Sequence, residues 1–401
     1  MSEPDPSSLP PQPSLVGCHL CQHTIMTGAP DFASHYRVTS DCQPFPAGGM
    51  VHCCTRCGTI QKNPDRHWQA ETRQIYAAYQ IYAQTGSGEH PVFESQGHII
   101  NRSEKLLHNL LQAVPLPASG SLLDIGCGNG SLLESFSRIQ PDWQLYGTEW
   151  NDQHRRTIEA IPGVKGFFVG DPEQAPGRFD LITVVHVLEH VPNPVAFLRR
   201  LMPKLTPNGI LFVQVPNLRR NPFDLVVADH CTHFTAATLR PVLAASGFTI
   251  RHLTNRWVTK ELSLIAHPAG YEVQNPDAGE SVAQQKSLFH DSLTWLQKAS
   301  RAICHVEGKP LALFGTSIAA TWMFQERTRV GDIDFFVDED PRQFGRHHLG
   351  RPIRSLDIPV GTTLFMPFLP EQSAPIVQRL SKPQWRFVVL PAMPSGGQEI
   401  F

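Results

Sequence analysis

Residues 122–130, Leu122-Leu123-Asp124-Ile125-Gly126-Cys127-Gly128-Asn129-Gly130, decide the fold of this 401-residue chain. An apolar run that meets an acid and then glycines at alternate positions predicts a strand over 121–125, a tight turn, and a helix over 131–139. Such a turn lets a ligand approach the backbone, and the start of the helix offers free N–H groups to an anion. The G-x-G-x-G spacing differs from the dinucleotide pattern G-x-G-x-x-G, which disfavours NAD-dependent redox chemistry.

Strands and helices alternate after residue 121, as expected for an α/β fold with a parallel sheet covered on both faces. We predict strands at 144–148, 166–169, 179–186 and 210–215, a helix over 194–205 and a turn at 206–209. Glu149 follows the second strand, where a carboxylate can accept both hydroxyls of a ribose. Asp171 follows the third, where it can accept the amine of adenine or simply form a turn before Pro172.

These features occur in the order found in class I S-adenosylmethionine-dependent methyltransferases, which residues 120–265 resemble. The resemblance implies a Rossmann-like methyltransferase sheet and S-adenosyl-L-methionine as the cofactor. His186 follows the fourth strand at the carboxyl end of the sheet, where ligands of open α/β sheets lie. The residues expected to bind the cofactor are therefore Asp124, Gly126, Gly128, Gly130, Glu149, Asp171 and His186.

Two C-x-x-C pairs precede this domain, Cys18 with Cys21 and Cys54 with Cys57. Two such pairs complete the tetrahedral sulfur shell that Zn²⁺ favours, and a closed four-ligand site is structural because it has no open position for a substrate. We expect this zinc site to hold together a segment too small to have its own core. Reduced free thiols are the alternative, and Cys53 or a nearby histidine could replace one ligand.

Composition limits the possible partners. The chain has 34 Lys+Arg and 36 Asp+Glu, a net charge of -2, so no overall field attracts nucleic acid or an anionic membrane. Residues 1–14 lack the apolar core of a leader peptide, and no later run approaches the ~18 apolar residues of a membrane span. Nine cysteines that include two C-x-x-C pairs favour metal or reduced thiols over a secreted disulfide framework. We expect a cytoplasmic protein that binds a small molecule.

The acceptor of the methyl group needs alignment and, if it is a weak nucleophile, removal of a proton. Histidine titrates near neutral pH and is the usual proton acceptor. The leading candidate is His230 with Asp229 as its orienting acid, and His190 and His186 are the other candidates.

A narrower resemblance covers the chain from residue 18. Zinc knuckles, a methyltransferase domain and a further α/β domain, in that order, resemble the three-domain nucleotide-sugar C-methyltransferases that act on 4-keto-6-deoxyhexoses. His190 matches that family's histidine after the fourth strand. Its Tyr-x-Glu-His segment, whose tyrosine and histidine serve in proton removal, is Val227-Ala228-Asp229-His230 here. Because the tyrosine is absent, either His230 acts alone or the acceptor is a more acidic or more nucleophilic oxygen or nitrogen.

The predicted organisation is a disordered lead at 1–14, a zinc-binding segment at 15–65, a methyltransferase domain at 66–268 and a second Rossmann-like domain at 282–401. Tyrosines in a helical stretch at 61–84 either cover a ligand or pack against the next domain. In the last domain, Gly315 and Asp338 form half of a nucleotide-binding pattern. This domain either packs against the rest of the protein without binding a ligand, or it contacts the nucleotide of the substrate. Basic residues that could meet a diphosphate are Arg342, Arg346, His347, His348 and Arg351.

The predicted activity is methyl transfer to a sugar or nucleotide-sugar, at carbon of a ketosugar or at oxygen. One alternative is a methyltransferase that acts on another small molecule, and a second is an RNA methyltransferase that grips its substrate with zinc knuckles. The near-neutral charge and the sequence His186-Val187-Leu188-Glu189, in place of an Asn/Asp-Pro-Pro-aromatic segment, oppose it. Another is a non-catalytic cofactor-binding scaffold. The sequence leaves the acceptor atom, the sugar and the oligomeric state open.

Overall fold

The amino-terminal part of the chain consists of short strands and one helix. The structure, a computed structural model, describes residues 17–79, 89, 91–93, 99–269, 281–380, 382 and 384–393. The first elements are β1 (Met26–Gly28), β2 (Arg37–Val38), β3 (Pro44–Phe45), β4 (Val51–Cys54), β5 (Ile60–Lys62) and α1 (Arg66–Ala78). Helix α1 is shorter than the predicted 61–84 because the Asp65 carboxylate caps its first turn by accepting a hydrogen bond from the Trp68 N–H. The predicted lead at 1–14 and residues 80–84 lie outside the described part of the chain.

Strands and helices then alternate as predicted. The elements are β6 (Pro91–Phe93), β7 (Ile99–Asn101), α2 (Arg102–Ala113), β8 (Ser121–Ile125), α3 (Ser131–Ile139), β9 (Gln144–Glu149), α4 (Arg155–Glu159), β10 (Val164–Val169), β11 (Phe179–Val185), α5 (Pro194–Leu201), β12 (Leu205–Pro216), β13 (Thr232–His233), α6 (Ala236–Ala245), β14 (Phe248–Thr254) and β15 (Glu261–Pro268).

Seven of these strands form the central sheet in the order β10-β9-β8-β11-β12-β15-β14. The first five are parallel, and β15 runs antiparallel to both β12 and β14. This Rossmann-like sheet confirms the predicted α/β methyltransferase fold. From the neighbouring strands β8 and β11, the strand order runs outward in opposite directions. Ligands of open α/β sheets bind at the carboxyl ends of such a strand pair, so we expect a ligand crevice there.

Two predicted boundaries in this domain were wrong. The turn expected at 206–209 lies within β12, because Leu205 pairs with Phe179 and Ile210 pairs with Leu181, so the ladder continues on both sides of an irregularity. The helix expected over 194–205 ends at Leu201. A short 3-10 helix follows over Met202–Lys204, where Pro203 has no N–H to continue the α-helical ladder.

The carboxyl-terminal part has its own six-stranded sheet in the order β18-β19-β17-β16-β20-β21. Only β18 is antiparallel to its neighbour. This agrees with the predicted second α/β unit. Its elements are α7 (Val282–His305), β16 (Leu311–Phe314), α8 (Ile318–Thr328), β17 (Phe335–Val337), β18 (His347–His348), β19 (Arg351–Arg354), β20 (Thr363–Met366), α9 (Pro370–Leu380) and β21 (Arg386–Val389).

The three parts of the chain share buried contacts. The Phe223 ring, from the segment after β12, lies 5.1 Å from Trp295 of α7 and 5.7 Å from Trp322 of α8. The Trp322 indole N–H donates to the Tyr36 carbonyl of the amino-terminal segment at 2.9 Å. Strand β13 also joins β5, which extends the amino-terminal sheet to the order β1-β4-β5-β13. Within the described ranges, no helix combines the length and apolarity that a membrane span requires.

Candidate active site

The glycine-rich turn after β8 uses backbone angles that favour glycine at three positions. Gly126, Gly128 and Gly130 have φ angles of +67°, +58° and +87°, which other residues rarely adopt. A Cβ on Gly126 would lie 2.4 Å from Cγ2 of Val187. The Gly128 N–H donates to Glu149 Oε2 at 2.8 Å. The turn therefore presents backbone to the crevice and holds the predicted ribose carboxylate beside it.

Glu149 and Asp124 lie on different sides of this turn. The second oxygen of Glu149 accepts a hydrogen bond from the Trp150 N–H at 2.7 Å, so the carboxylate is fixed at the tip of β9. Asp124 is buried, and the Thr183 hydroxyl donates to it at 2.6 Å. Burial raises the pKa of Asp124 to about 7. Asp124 thus supports the turn from inside the sheet, whereas Glu149 faces the crevice side of the turn.

The Asp171 carboxylate has partners outside the glycine turn. It accepts a hydrogen bond from the Glu173 N–H at 3.0 Å, which caps a short 3-10 helix, and another from Arg200 at 2.7 Å. These partners match the turn role that the sequence left open. Contact with adenine stays a prediction.

His186 belongs to a polar cluster at the carboxyl end of β11. It has a φ of +54° and contacts Glu189 at 3.0 Å and Glu261 at 3.1 Å, and Glu261 also accepts from Arg102 at 2.6 Å. Burial and Arg102 lower the pKa of His186, but Glu261 and Glu189 together raise it to about 9. Sequence reasoning missed Arg102 and Glu261, because they begin α2 and β15 and no local pattern connects them.

The two predicted acceptor-side histidines meet directly. The rings of His190 and His230 have centroids 4.6 Å apart and are nearly perpendicular. His230 Nδ1 donates to the Asp224 carboxylate at 2.6 Å, and His190 Nδ1 donates to the Asp229 carbonyl at 3.0 Å. Asp229 Oδ2 lies 3.4 Å from His190. We predicted Asp229 as the acid that orients His230. In the structure Asp224 has that position, and Asp229 lies beside His190.

Asp224 is the acid that sequence reasoning did not select. It is buried, and its second oxygen accepts a hydrogen bond from His233 Nδ1 at 2.6 Å. Burial works against ionisation, but His233 and His230 hold the pKa of Asp224 well below its ordinary value. Burial also lowers the pKa of His230, yet Asp224 raises it above the ordinary histidine value overall. The Asn221-Pro222-Phe223-Asp224 motif was the available signal.

The segment that carries His230, residues 227–233, is held by the amino-terminal part and is called the acceptor loop below. The Ser40 N–H and hydroxyl donate to Asp229 at 3.0 and 2.5 Å, and the Trp68 indole donates to the Ala228 carbonyl at 3.0 Å. The Lys62 N–H donates to the Cys231 carbonyl at 2.9 Å, next to the pairing of β13 with β5. The amino-terminal segment therefore shapes the acceptor side.

Tyr76 connects the two sides of the crevice. Its ring centroid lies 6.2 Å from that of His190 and 6.2 Å from that of Trp150, the residue after Glu149. Tyr79 packs edge-on against it at 6.0 Å. These contacts show that the predicted tyrosine helix packs against the methyltransferase domain next to the crevice. Whether it also covers a ligand stays a prediction.

The four predicted cysteines form one cluster. The Sγ atoms of Cys18 and Cys57 are 3.4 Å apart, and those of Cys21 and Cys54 are 3.6 Å apart. A tetrahedral site with Zn–S bonds of about 2.3 Å has sulfur–sulfur edges of about 3.8 Å, so the donor set fits zinc. Cys53 directs its thiol to backbone carbonyls, and it is not among the clustered metal-ligating side chains of the described residues.

The turn at Gly315 in the last domain has a φ of +77° and packs against β17 through the Gly315 N–H, which donates to Val337. Burial raises the pKa of Asp338 to about 6. Three of the basic residues predicted to meet a diphosphate have protein partners: Arg342 pairs with Asp340, Arg351 with Asp332, and buried His348 with Thr321. A nucleotide site here stays a prediction.

Known proteins resemble the central part of the chain. The family model described as Methyltransferase domain matches residues 98–253. The ubiquinone biosynthesis O-methyltransferase of Xanthomonas axonopodis pv. citri (strain 306) is 32% identical over 124 residues, which are 28% of this chain and 49% of that protein. The trans-aconitate 2-methyltransferase of Methylobacterium radiotolerans is 28% identical over 186 residues, which are 45% of this chain and 65% of that protein.

The chain spans about half the length of the ubiquinone biosynthesis O-methyltransferase that it matches. Among solved structures, the calicheamicin-biosynthesis methyltransferase CalO1 in its SAH-bound form is 20% identical, over 41% of this chain and 54% of that one, with a TM-score of 0.34. The family match and the sheet order together show that this chain contains a class I S-adenosylmethionine-dependent methyltransferase domain.

Proposed function

We propose that the protein transfers the methyl group of S-adenosyl-L-methionine to a sugar or nucleotide-linked sugar. The observation that carries this proposal is the arrangement of the crevice. Tyr76 contacts His190, which packs against His230, and it also contacts Trp150, whose N–H donates to the Glu149 carboxylate beside the glycine turn.

On the cofactor side, Glu149 has two backbone N–H partners, from Gly128 and Trp150. Ribose hydroxyls can replace them as donors to the same carboxylate when the cofactor binds. Gly126 to Gly130 would let the rest of the cofactor approach the backbone. The bound cofactor supplies an electrophilic methyl group on a sulfonium, so the protein needs to align the acceptor and to stabilise the charge left on it.

On the acceptor side, His230 and His190 are the proposed residues that withdraw the acceptor proton. Asp224 orients His230 through its Nδ1, and Asp229 lies beside His190. Position 227 is valine, where the resembling sugar enzymes have tyrosine, and Tyr76 of α1 brings a phenol against His190 instead. The substitution at 227 favours an oxygen acceptor over a ketosugar carbon. Relatives named as O-methyltransferases support the same choice.

The remaining parts have supporting roles in this proposal. A structural Zn²⁺ on Cys18, Cys21, Cys54 and Cys57 would hold the amino-terminal strands and thereby the acceptor loop. The carboxyl-terminal sheet would contact the nucleotide of the substrate through the Gly315 turn. We further propose that the protein works in the cytoplasm on a small molecule, with neither nucleic acid nor membrane as its partner.

The test is an incubation with methyl-labelled cofactor and a panel of nucleotide-linked sugars, including 4-ketosugars, in deuterated water. We expect label in a sugar product at oxygen without deuterium exchange next to a ketone. Exchange at that carbon followed by carbon methylation would replace the oxygen assignment. Tight cofactor binding with no transfer to any sugar would overturn the sugar proposal and favour another small molecule, RNA or a non-catalytic scaffold. His230→Gln should lower transfer, with His267→Gln as the matched control.

A further inference from the structure

Three metal-ligating side chains converge beside the crevice. Glu189, His190 and His230 each place one ligand-capable atom within 4.8 Å of the others, a second cluster distinct from the four cysteines. Glu189 and His190 follow β11, whereas His230 comes from the acceptor loop. The Cys231 N–H donates to the Glu189 carbonyl at 2.8 Å and fixes the two segments together. The convergence is therefore built into the backbone.

Glu189 supplies an independent sign of a missing partner. Its side chain is buried with 1% exposure, and Oε1 accepts from His186. Its other oxygen, Oε2, is buried and has no hydrogen-bond partner among the residues that the structure describes. A buried carboxylate oxygen without a partner is unfavourable, and a bound ion is one of the groups that can satisfy it.

Both imidazoles are held in the tautomer that a metal requires. Because His190 Nδ1 donates to the Asp229 carbonyl and His230 Nδ1 donates to Asp224, the atom left on each ring for a ligand is Nε2. Histidines that bind metals usually donate their other ring N–H to a carboxylate or a carbonyl, which fixes the ring. Both supports are present here.

We propose that Glu189, His190 and His230 bind a divalent cation through one carboxylate oxygen and two imidazole nitrogens. One carboxylate and two histidines suit borderline first-row ions such as Mn²⁺, Fe²⁺ or Zn²⁺ and leave open coordination positions. The carboxylates of Asp224 and Asp229 are both buried and add negative potential at the site, because they lie 2.6 Å from His230 Nδ1 and 3.4 Å from His190 Nδ1, respectively. The His190 side chain keeps 15% exposure, which provides access for the ion.

The consequence for the reaction rests on the proposed function. An acceptor hydroxyl in an open position of the ion would lose its proton to solvent more readily, since a bound cation stabilises the alkoxide. An oxygen electron pair then forms the bond to the methyl carbon, and the electron pair of the breaking C–S bond stays on sulfur. This inference replaces the proton-acceptor role that the proposed function gives to His190 and His230, because an imidazole nitrogen that coordinates the ion cannot also accept a proton. The two histidines then stabilise the acceptor anion as ligands of the ion.

The experiment is a titration of the full-length, zinc-loaded chain with Mn²⁺ alone, followed by electron paramagnetic resonance. Mn²⁺ prefers nitrogen and oxygen ligands, so the cysteine cluster does not compete for it. We expect one Mn²⁺ per chain, at least tenfold weaker binding in Glu189→Gln and in His230→Gln, and unchanged binding in the controls Glu159→Gln and His267→Gln. Pulsed measurements on the wild-type protein should show couplings from two imidazole nitrogens.

The wild-type nitrogen couplings need no variant, so a variant that fails to fold does not decide the test. Absence of Mn²⁺ binding to the wild-type chain, or binding without nitrogen couplings, would overturn the cation site. Neither cofactor nor sugar is present in the titration. Methyl transfer without Mn²⁺ binding would therefore remove only this inference, whereas Mn²⁺ binding without transfer to any sugar would remove only the proposed substrate.

Discussion

Replacement of Glu149 by alanine should weaken cofactor binding and leave the rest of the protein folded. In the free chain the carboxylate accepts two backbone hydrogen bonds, from Gly128 at 2.8 Å and from Trp150 at 2.7 Å. Both donors lie in turns beside the crevice, and Glu149 is at the end of β9. Loss of the side chain would therefore remove the proposed ribose partner and loosen the turn, while the buried sheet is left intact.

The expected loss of cofactor affinity follows from the number of hydrogen bonds to the carboxylate. A hydrogen bond to a charged group contributes about 1.5–3 kcal/mol, so two ribose hydroxyls on one carboxylate account for about 3–6 kcal/mol. That corresponds to a loss of about 10²–10⁴-fold in cofactor affinity. Glu149→Gln keeps an acceptor oxygen but loses the charge, and it should fall between alanine and the wild-type protein.

Isothermal titration calorimetry with S-adenosylhomocysteine measures this loss directly. Asp152→Asn is the matched control, because it removes an exposed carboxylate three residues further along the chain. We expect its affinity to equal that of the wild-type chain. An alanine variant at 149 that binds within threefold of the wild-type protein would refute the assignment of this carboxylate to the ribose.

Three other predictions concern stability and metal content. Because burial raises the pKa of Asp124 from 3.8 to about 7, ionisation favours the unfolded chain as the pH rises through this window. The Asp124→Asn variant keeps an acceptor for the Thr183 hydroxyl but cannot ionise. In denaturant unfolding, its free energy of unfolding should rise relative to that of the wild-type chain by about 3 kcal/mol from pH 4 to pH 7. A difference that does not change with pH would contradict a buried acid at this position. Gly126→Ala should lower the free energy of unfolding by about 2–5 kcal/mol, because the residue has a positive φ and the added Cβ would meet Val187. A melting temperature equal to that of the wild-type chain would contradict the described turn. Cys54→Ser should lose the bound zinc measured by mass spectrometry and lower the melting temperature, and full zinc retention would show that this cysteine is not a ligand.

Local sequence patterns were sufficient to predict the elements around the glycine-rich turn. The strand at Ser121–Ile125 and the helix at Ser131–Ile139 occur where residues 121–139 predict them, because alternating glycines and an apolar run leave one compatible local conformation. The same holds for the two C-x-x-C pairs, since each pair places two sulfurs on a single tight turn. The boundary at Leu205 was mispredicted because pairing with β11 overrides the turn propensity of 206–209. The helix end at Leu201 was mispredicted because Pro203 cannot continue the α-helical ladder.

Only the tertiary structure decided the acceptor half. Asp224 as the partner of His230, Ser40 on Asp229, and the link of Arg102 to Glu261 join residues that are 6, 189 and 159 positions apart, respectively. No periodic pattern predicts the pairing of Asp224 with His230, because the 3-10 helix that contains Asp224 ends at Val226, before His230. The sequence by itself determined which cofactor turn this protein has. Packing of three chain segments around one core decided which acids meet which histidines.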